Sequence, residues 1–497
     1  MVHPPVRRDA RTRPVVPEVE GLGSVLRFPR AAAIAVVAAT VVTAGGWAPA
    51  VSGAVVPPVA DIGAAPPDTD GPERPLRSNN PRCVEPGVLP NSNLAAAPAP
   101  ANTLRIDEAH RFSTGAGVTV AVLSTGVRRQ ARLRGLDGAG DNMVAGDRGL
   151  LDCDGTGTLV AGIVGAQPAA GDGFVGIAPD ARIMSIRVDS AGFSLQNSPA
   201  DSEDPNLSRA AVNARSIARA IVRAANRGAK VIVVPEPVCM AADNQFRQRE
   251  IGGAVAYALR AKDALVVAGA GATDRQGGTV GANECKANPD PDPGRPDDPR
   301  GWRRVTTVAT PNWFDGQVLS VGATTAEGTP LPGSLNGPWL DVSAPGAGIV
   351  SLSSRSGDGV VNGSPVERTL VPFAGPEFAA AYAAGAAALV RSRYPQLSAT
   401  QAAARLVATA HAPGRGTDNK VGRGLIDPVA ALTAKVPDID ADIDPQSVEK
   451  LLVPPPPPDP DTRPRRTAAI VAGAGAVVLV VIGGMVALLR PGRKRRS

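Results

Sequence analysis

The sequence is poor in the residues that bind metals, and its main body carries little net charge. It has four cysteines and three histidines in 497 residues, with no CxxC pair or Cys/His zinc spacing. The formal charge of +6 comes from the C-terminal end, where eight Lys and Arg residues and no acidic residue follow from Arg463 onward. The rest of the chain therefore has 44 of the 52 basic residues against 46 acidic ones. No metal, cofactor or nucleic-acid partner is expected.

The two ends of the chain predict export and membrane attachment. Residues 1–54 contain a basic leader, an apolar run and small-residue cleavage sites, which is typical of a signal peptide. An uncleaved N-terminal anchor is the alternative. Residues 467–489 carry no charge and are long enough for a transmembrane helix. The basic tail at 490–497 predicts a C-terminus in the cytoplasm and a chain body on the extracytoplasmic side of the cell membrane.

Two segments of irregular composition flank the main body. Residues 55–101 are rich in Pro, Asn and Ala and are expected to form an extended arm. Residues 436–466 turn acidic and then proline-rich, with five consecutive prolines at 454–458. Because such a run favours polyproline II, the second segment is expected to act as a stiff linker above the membrane.

The main body, residues 102–435, alternates apolar runs with amphipathic stretches. Five runs resemble buried parallel strands, at 118–123, 182–188, 230–235, 264–269 and 318–323. Helices are predicted over 208–227 and 378–391, and Ser398 with Gln401 forms a capping box that opens a last helix. This order predicts an α/β fold, a doubly wound parallel sheet with helices on both faces.

Three local sequences resemble the catalytic blocks of the subtilases. They are VAVLSTGV at 120–127, DCDGTGTLVAGIVGA at 152–166 and FAGPEFAAAYAAGAAALVRSRYP at 373–395. The resemblance continues through 302–325, 337–352 and 421–432. With the signal, the Cys-bearing arm, the linker and the anchor, the chain resembles the mycosins, the subtilisin-like proteins of type VII secretion systems. This resemblance implies a subtilisin-like fold and association with the membrane-complex proteins of such a system.

The residues that the family uses for catalysis are replaced in this chain. Ser124 stands where the family has its Asp, Thr156 where it has its His, and Glu377 where the nucleophilic Ser belongs. The oxyanion Asn corresponds to Gly271, or to Ala272 if the register slips. Each replacement can be explained by a structural role. Ser124 and Thr156 are small polar residues that keep the local turn geometry, and Glu377 is a carboxylate in the first turn of a helix, where a negative charge is favoured.

These replacements predict a catalytically inactive pseudoprotease. Acyl transfer needs a hydroxyl nucleophile, an imidazole base and a carboxylate that orients the base, and in subtilisin loss of the nucleophile or base alone costs about 10⁶ in turnover. The chain's three histidines, His3, His110 and His411, lie in none of the three blocks. Asp154 reads as a solvated loop acid. Two alternatives remain, an active subtilisin-like serine endopeptidase and a pseudoenzyme that still binds peptides in its cleft.

The cysteine count fits two disulfides in an exported chain. Cys239 and Cys285 each follow a core strand, in loops that adjacent parallel strands bring to one end of the sheet. Cys83 lies in the arm and Cys153 just before the degenerate second block. The pairs Cys83–Cys153 and Cys239–Cys285 are therefore expected, and the resemblance to the mycosins implies the same pairing.

Overall fold

The structure, a computed structural model, describes residues 55–79, 82–196, 205–243, 248–273, 285–355, 359–414 and 416–436, with seven helical residues between 474 and 485. The predicted signal peptide, linker and basic tail lie outside these residues, as does most of the predicted transmembrane segment. Within the described part, no helix is both long and apolar enough to cross a membrane. By its internal contacts the chain divides into two units, Met1–Ala434 and Lys435–Ser497.

The first unit contains the strands and helices of the domain. The strands are β1 (Leu76–Ser78), β2 (Thr119–Ser124), β3 (Asp137–Asp141), β4 (Arg182–Arg187), β5 (Phe193–Leu195), β6 (Val231–Val234), β7 (Val238–Ala241), β8 (Leu265–Gly269), β9 (Thr307–Thr310), β10 (Val318–Thr324), β11 (Val342–Pro345), β12 (Ser351–Leu352), β13 (Val360–Val361), β14 (Gly363–Val366) and β15 (Thr369–Pro372). The helices are α1 (Ala99–Thr103), α2 (Ile106–Ala109), α3 (Thr156–Gly165), α4 (Pro205–Asn226), α5 (Gln248–Ala256), α6 (Pro376–Arg393), α7 (Ala399–Ala408) and α8 (Pro428–Thr433). Three short helical turns lie at Ile62–Ala64, Tyr257–Ala261 and Trp302–Arg304.

Seven of the strands form one parallel sheet in the order β11-β10-β8-β6-β2-β4-β3. The five predicted strands are confirmed as β2, β4, β6, β8 and β10. The edge strands β3 and β11 were not among the predictions. The remaining strands form four small antiparallel pairs: β1 with β5, β7 with β9, β12 with β13 and β14 with β15.

The sheet is covered on both faces, as its strand pattern predicts. In β2, Val120 and Val122 join one buried cluster, which also holds residues of α3 and α6. Ala121 and Leu123 join a second cluster with residues of α4 and α5. Because successive side chains of a strand point to opposite faces, this division places one core on each side of the sheet. The doubly wound α/β architecture is therefore confirmed.

Helix α6 is buried over nearly its whole length and packs against the sheet and α3. Its residues from Pro376 to Arg391 are buried, and half of them are alanine, so the helix can approach its neighbours closely. Gly385 shows how closely: a Cβ there would stand 1.5 Å from Cγ2 of Ile177. The predicted capping box of the next helix is also present, since Ser398 Oγ accepts from Gln401 N at 3.2 Å and Ser398 N donates to Gln401 Oε1 at 2.9 Å.

The arm is tied to the domain by charge pairing at its start. Arg223 of α4 donates from Nε to Asp68 at 2.8 Å and also pairs with Asp70. Arg219, one turn earlier, donates to the carbonyl oxygens of Thr69 and Gly71, both at 2.8 Å. These bonds fix the first part of the arm along α4, and β1 then extends it by pairing antiparallel with β5.

Farther along, the arm is held by a disulfide and by backbone pairing. The structure joins Cys83 to Cys153, the pairing expected from the sequence, and Val84 N donates to the carbonyl oxygen of Cys153 at 2.8 Å. Gly87 then exchanges backbone hydrogen bonds with Gly363 at the start of β14. The arm therefore runs from α4 past the loop before α3 to the β14–β15 hairpin.

Candidate degenerate active site

The first candidate position lies at the carboxyl end of β2. Ser124 is 2% exposed, and its Oγ finds no hydrogen-bond partner among the described residues. The next residue, Thr125, donates from Oγ1 to Asp152 at 2.8 Å and accepts from Gly157 N at 3.0 Å. The structure thus brings the first block against the second through Thr125, and Ser124 itself takes no part in that contact.

Asp152 organises the loop that opens α3, a role that the sequence analysis missed. Besides the bond from Thr125, its carboxylate accepts from Gly155 N and Thr158 N at 2.8 Å each and from Thr158 Oγ1 at 2.6 Å. Burial raises the pKa of Asp152, and the four donated hydrogen bonds oppose that rise. Both oxygens are committed to this turn.

The second candidate position opens helix α3. Thr156 is fully buried, and its Oγ1 has no hydrogen-bond partner in the described part of the chain. Asp154, two residues earlier, was expected to be a solvated loop acid, and this is wrong: it is 4% exposed. Burial raises its pKa to about 6, against a hydrogen bond from Ser190 that lowers it. The loop at 190–191 covers Asp154, since Ala191 N donates to its Oδ1 at 3.2 Å.

The third candidate position is the second residue of α6. Glu377 is 4% exposed, and Oε1 of its carboxyl group has no partner within the described residues. The carboxyl group folds back over Gly375, where a Cβ would stand 2.1 Å from Oε2. Burial raises the pKa of Glu377 to about 7, opposed only by a hydrogen bond from its own backbone N–H. Within the part of the chain that the structure describes, Glu377 is therefore a buried acid without a cationic partner.

Gly271, the candidate oxyanion position, is constrained by the second disulfide. The structure joins Cys239 to Cys285, again the expected pairing. Gly271 has φ +99°, and a Cβ there would lie 2.8 Å from Sγ of Cys285 and 3.2 Å from Sγ of Cys239. A side chain at this position would collide with the disulfide and strain the backbone. Ala272, the next residue, is partly exposed and bridges to Ser334.

The histidines of the described part lie in other surroundings. His110 Nε2 is 3.0 Å from the carbonyl oxygen of Ile177. His411 is 66% exposed and lies 3.0 Å from Asp427, at the start of α8. Neither ring has a hydrogen bond to Ser124 or Thr156, whose hydroxyl oxygens have no partner in the described chain. Within the described residues, no group of three or more His, Cys, Asp or Glu is arranged to hold a metal ion.

This arrangement has a definite chemical consequence. A serine or threonine hydroxyl becomes a nucleophile only when a neighbouring base takes its proton. Ser124 Oγ and Thr156 Oγ1 have no such hydrogen bond among the described residues, and Asp152 uses its acceptors on the turn. The described positions therefore hold buried polar groups, and neither candidate hydroxyl is hydrogen-bonded to a base there.

Comparison with known proteins relates the chain to subtilases. The model of the subtilase family matches residues 115–424. Mycosin-1 of Mycolicibacterium smegmatis is 45% identical over 386 residues, which cover 78% of this chain and 83% of the relative. Mycosin-3 of Mycobacterium tuberculosis is 47% identical over 410 residues, covering 82% of this chain and 87% of the relative.

Solved structures give the same relationship. The crystal structure of MycP1 from Mycobacterium smegmatis superimposes with a TM-score of 0.73 at 44% identity, covering 78% of this chain and 97% of that one. A chain of an intact ESX-5 inner membrane complex superimposes with a TM-score of 0.73 at 44% identity, covering 87% of this chain and all of that one.

Proposed function

Since this chain belongs to the mycosins, within the subtilase family, we propose that it is an inactive member that serves as a membrane-anchored structural component of a type VII secretion complex. The observation that carries the proposal is the simultaneous replacement of the three catalytic residues by Ser124, Thr156 and Glu377. Their buried oxygens have no partners among the described residues, whereas a working triad is a chain of hydrogen bonds.

The oxyanion position adds to this proposal, and Ala272 is a better candidate for it than Gly271. The disulfide leaves no room for a side chain at residue 271. An asparagine at this position would require a different local backbone structure. At either position a side-chain amide is missing. Loss of one such donor costs about 10²–10³ in turnover in subtilisin, beyond the loss of nucleophile and base.

The assignment to a secretion complex rests on similarity and on the ends of the chain. The similar chain in the ESX-5 inner membrane complex covers more of this sequence than the isolated crystal structure does. The apolar segment at 467–489 and the basic tail at 490–497 predict a single membrane span. We place the domain on the extracytoplasmic side of the cell membrane, with the signal peptide directing its export.

An active serine endopeptidase is the rival function. It is favoured by the names of two similar structures, a serine protease MycP1 and a MycP3 protease. Those names describe the relatives. In this chain the hydroxyls at the catalytic positions have no hydrogen-bonded base among the described residues, so we favour the structural role.

Blue-native electrophoresis of the membrane complex tests the proposed function in cells that lack the wild-type gene copy. Deletion of residues 467–497 should abolish or strongly reduce the assembled complex, because the domain loses its tether. Glu377→Ala should leave assembly intact, because a buried acid without a partner contributes little to any outer surface. Assembly that needs Glu377 in a folded, abundant protein would contradict the proposal, as would a normal complex after deletion of the anchor.

A further inference from the structure

The crevice beyond the carboxyl ends of β2, β6 and β8 is where an open α/β sheet ordinarily holds its ligand. An extended peptide is held chiefly by main-chain hydrogen bonds, some donated by backbone N–H groups of the protein and others accepted by its carbonyl oxygens. The ability of this crevice to hold a peptide's carbonyl oxygens therefore depends on the N–H groups along its walls. Proline has no backbone N–H and cannot donate.

Three prolines converge at the end of β8. Pro235 and Pro237 follow β6 directly, and Pro376 is the first residue of α6. A Cβ on Gly269 would lie 2.4 Å from the carbonyl oxygen of Pro235 and 3.0 Å from that of Pro376. The ring of Pro237 stands 3.5 Å from the corresponding point on Gly271. The segments that enclose the end of β8 therefore lack three backbone donors.

The start of α6 loses a further means of holding a peptide. The first N–H groups of a helix are unpaired within it and can bind a carbonyl or an oxyanion. In α6 the first of these is missing, because Pro376 occupies that position. The carboxyl group of Glu377 lies over Gly375, the residue before the helix. One donor that could face a ligand is thus absent, and a buried carboxyl group lies beside the next.

We propose that this crevice is closed to extended peptides, because Pro235, Pro237 and Pro376 have removed the backbone donors that would hold one. The inference deepens the proposed function and rests on it: the chain is a scaffold, and the peptide-binding pseudoenzyme is excluded. All three prolines are buried, so they are part of the folded site and not of a surface loop.

Fluorescence anisotropy of the full-length protein in detergent tests this inference, with fluorescein-labelled decapeptides of randomised sequence as the probe. The test variant is Pro235→Ser/Pro237→Gly, which restores two N–H groups at the crevice. The matched control is Pro293→Ser/Pro296→Gly, which adds the same groups to the exposed loop before Trp302. Circular dichroism and the unfolding midpoint establish that each variant is folded.

The wild type and the control should show no saturable binding. The crevice variant should bind with a Kd at least about tenfold below the highest peptide concentration at which the other two fail to saturate, since two hydrogen bonds of about 1 kcal/mol each are worth roughly tenfold to thirtyfold. Saturable binding by the wild type, abolished by competing unlabelled peptide, would overturn the inference. So would a folded crevice variant that gains no binding. If that variant does not fold, the test is photo-crosslinking of the same peptides to the wild-type protein. Crosslinks to crevice residues would then show that peptides bind there and would overturn the inference. None of these results depends on complex assembly, which separately tests the proposed function.

Discussion

The arm and the degenerate site differ in how their buried polar groups are paired, although Arg219 Nε, like the oxygens of the site, has no partner among the described residues. Where the arm crosses α4, Arg223 and Arg219 meet carboxylates and carbonyl oxygens at hydrogen-bond distance. At the degenerate site, Ser124, Thr156 and Glu377 each bury an oxygen without a partner among the described residues. A buried polar group without a partner costs free energy. The comparison indicates that this chain's stability depends on how the arm is attached, whereas Ser124, Thr156 and Glu377 contribute little or are unfavourable.

The largest effect should come from cutting the arm's covalent attachment. Cys83→Ser opens a disulfide between residues 70 apart in sequence, and chain entropy predicts a loss of about 4 kcal/mol in the free energy of unfolding. Urea unfolding under non-reducing conditions measures it. Cys153→Ser and the double variant should lose the same amount, because all three remove one bond. A loss for Cys83→Ser below about 1 kcal/mol would show that the arm contributes little, since that equals a single ordinary hydrogen bond.

A smaller effect, of opposite sign, is expected at the degenerate site. The pKa of Glu377 is raised from 4.5 to about 7 in the folded protein, so the folded state favours the protonated acid. The stabilisation that comes from the raised pKa of Glu377 is fully present below pH 4.5 and is lost as the pH rises through 7. Glu377→Gln keeps the shape without the charge. At pH 8 the variant should be more stable than the wild type by about 3 kcal/mol, at 1.36 kcal/mol per pKa unit.

The measurement is urea unfolding of both proteins between pH 5 and pH 8. Other buried acids also titrate in this range, with the pKa of Asp154 raised to about 6 and that of Asp341 to about 8 by burial. They are present in both proteins, so the difference between the two curves isolates Glu377. Parallel curves for wild type and variant would mean that Glu377 is ionised in the folded state, contrary to its burial.

The ionic attachment of the arm should have the next largest effect. Arg223→Ala removes the pairs with Asp68 and Asp70 from a side chain that is almost buried, and should cost about 2 kcal/mol. It should also speed proteolytic cleavage within residues 55–79. The control is Arg148→Ala, whose pair with Asp137 is exposed and should cost less than about 1 kcal/mol. Equal losses of unfolding free energy in the two variants would mean that the ion pairs of the arm stabilise the protein no more than an ordinary surface pair does.

The sheet could be predicted from the sequence wherever strands are uniformly apolar. Strand β3, Asp137–Asp141, could not be predicted in this way because its Gly and Asp residues do not form an apolar run. Its Asp141 is fully buried and pairs with Arg187 of β4, a partner far away in sequence. A buried ion pair of this kind produces no periodicity, so only the folded structure shows the strand.

The sequence offers candidate positions for the site, but it does not show how deeply these residues are buried or what they contact. The three blocks locate Ser124, Thr156 and Glu377 by their neighbours in sequence. The burial of Asp154 depends on the loop at 190–191, which reaches it only through tertiary packing. The register at Gly271 and Ala272 is ambiguous in a run of Gly and Ala, and the contact of Gly271 with the Cys239–Cys285 disulfide, on which the proposal for Ala272 draws, has no signal in the sequence.

The account depends most directly on the absence of serine-protease chemistry. The decisive measurement is fluorophosphonate labelling of the purified full-length protein, read by mass spectrometry, beside a cleavage assay on an unstructured protein substrate. Without a hydrogen-bonded base, Ser124 and Thr156 should remain unmodified, and no cleavage should appear between pH 5 and pH 9. Labelling of either residue, or cleavage that survives repurification and is abolished by one substitution in this chain, would contradict the account.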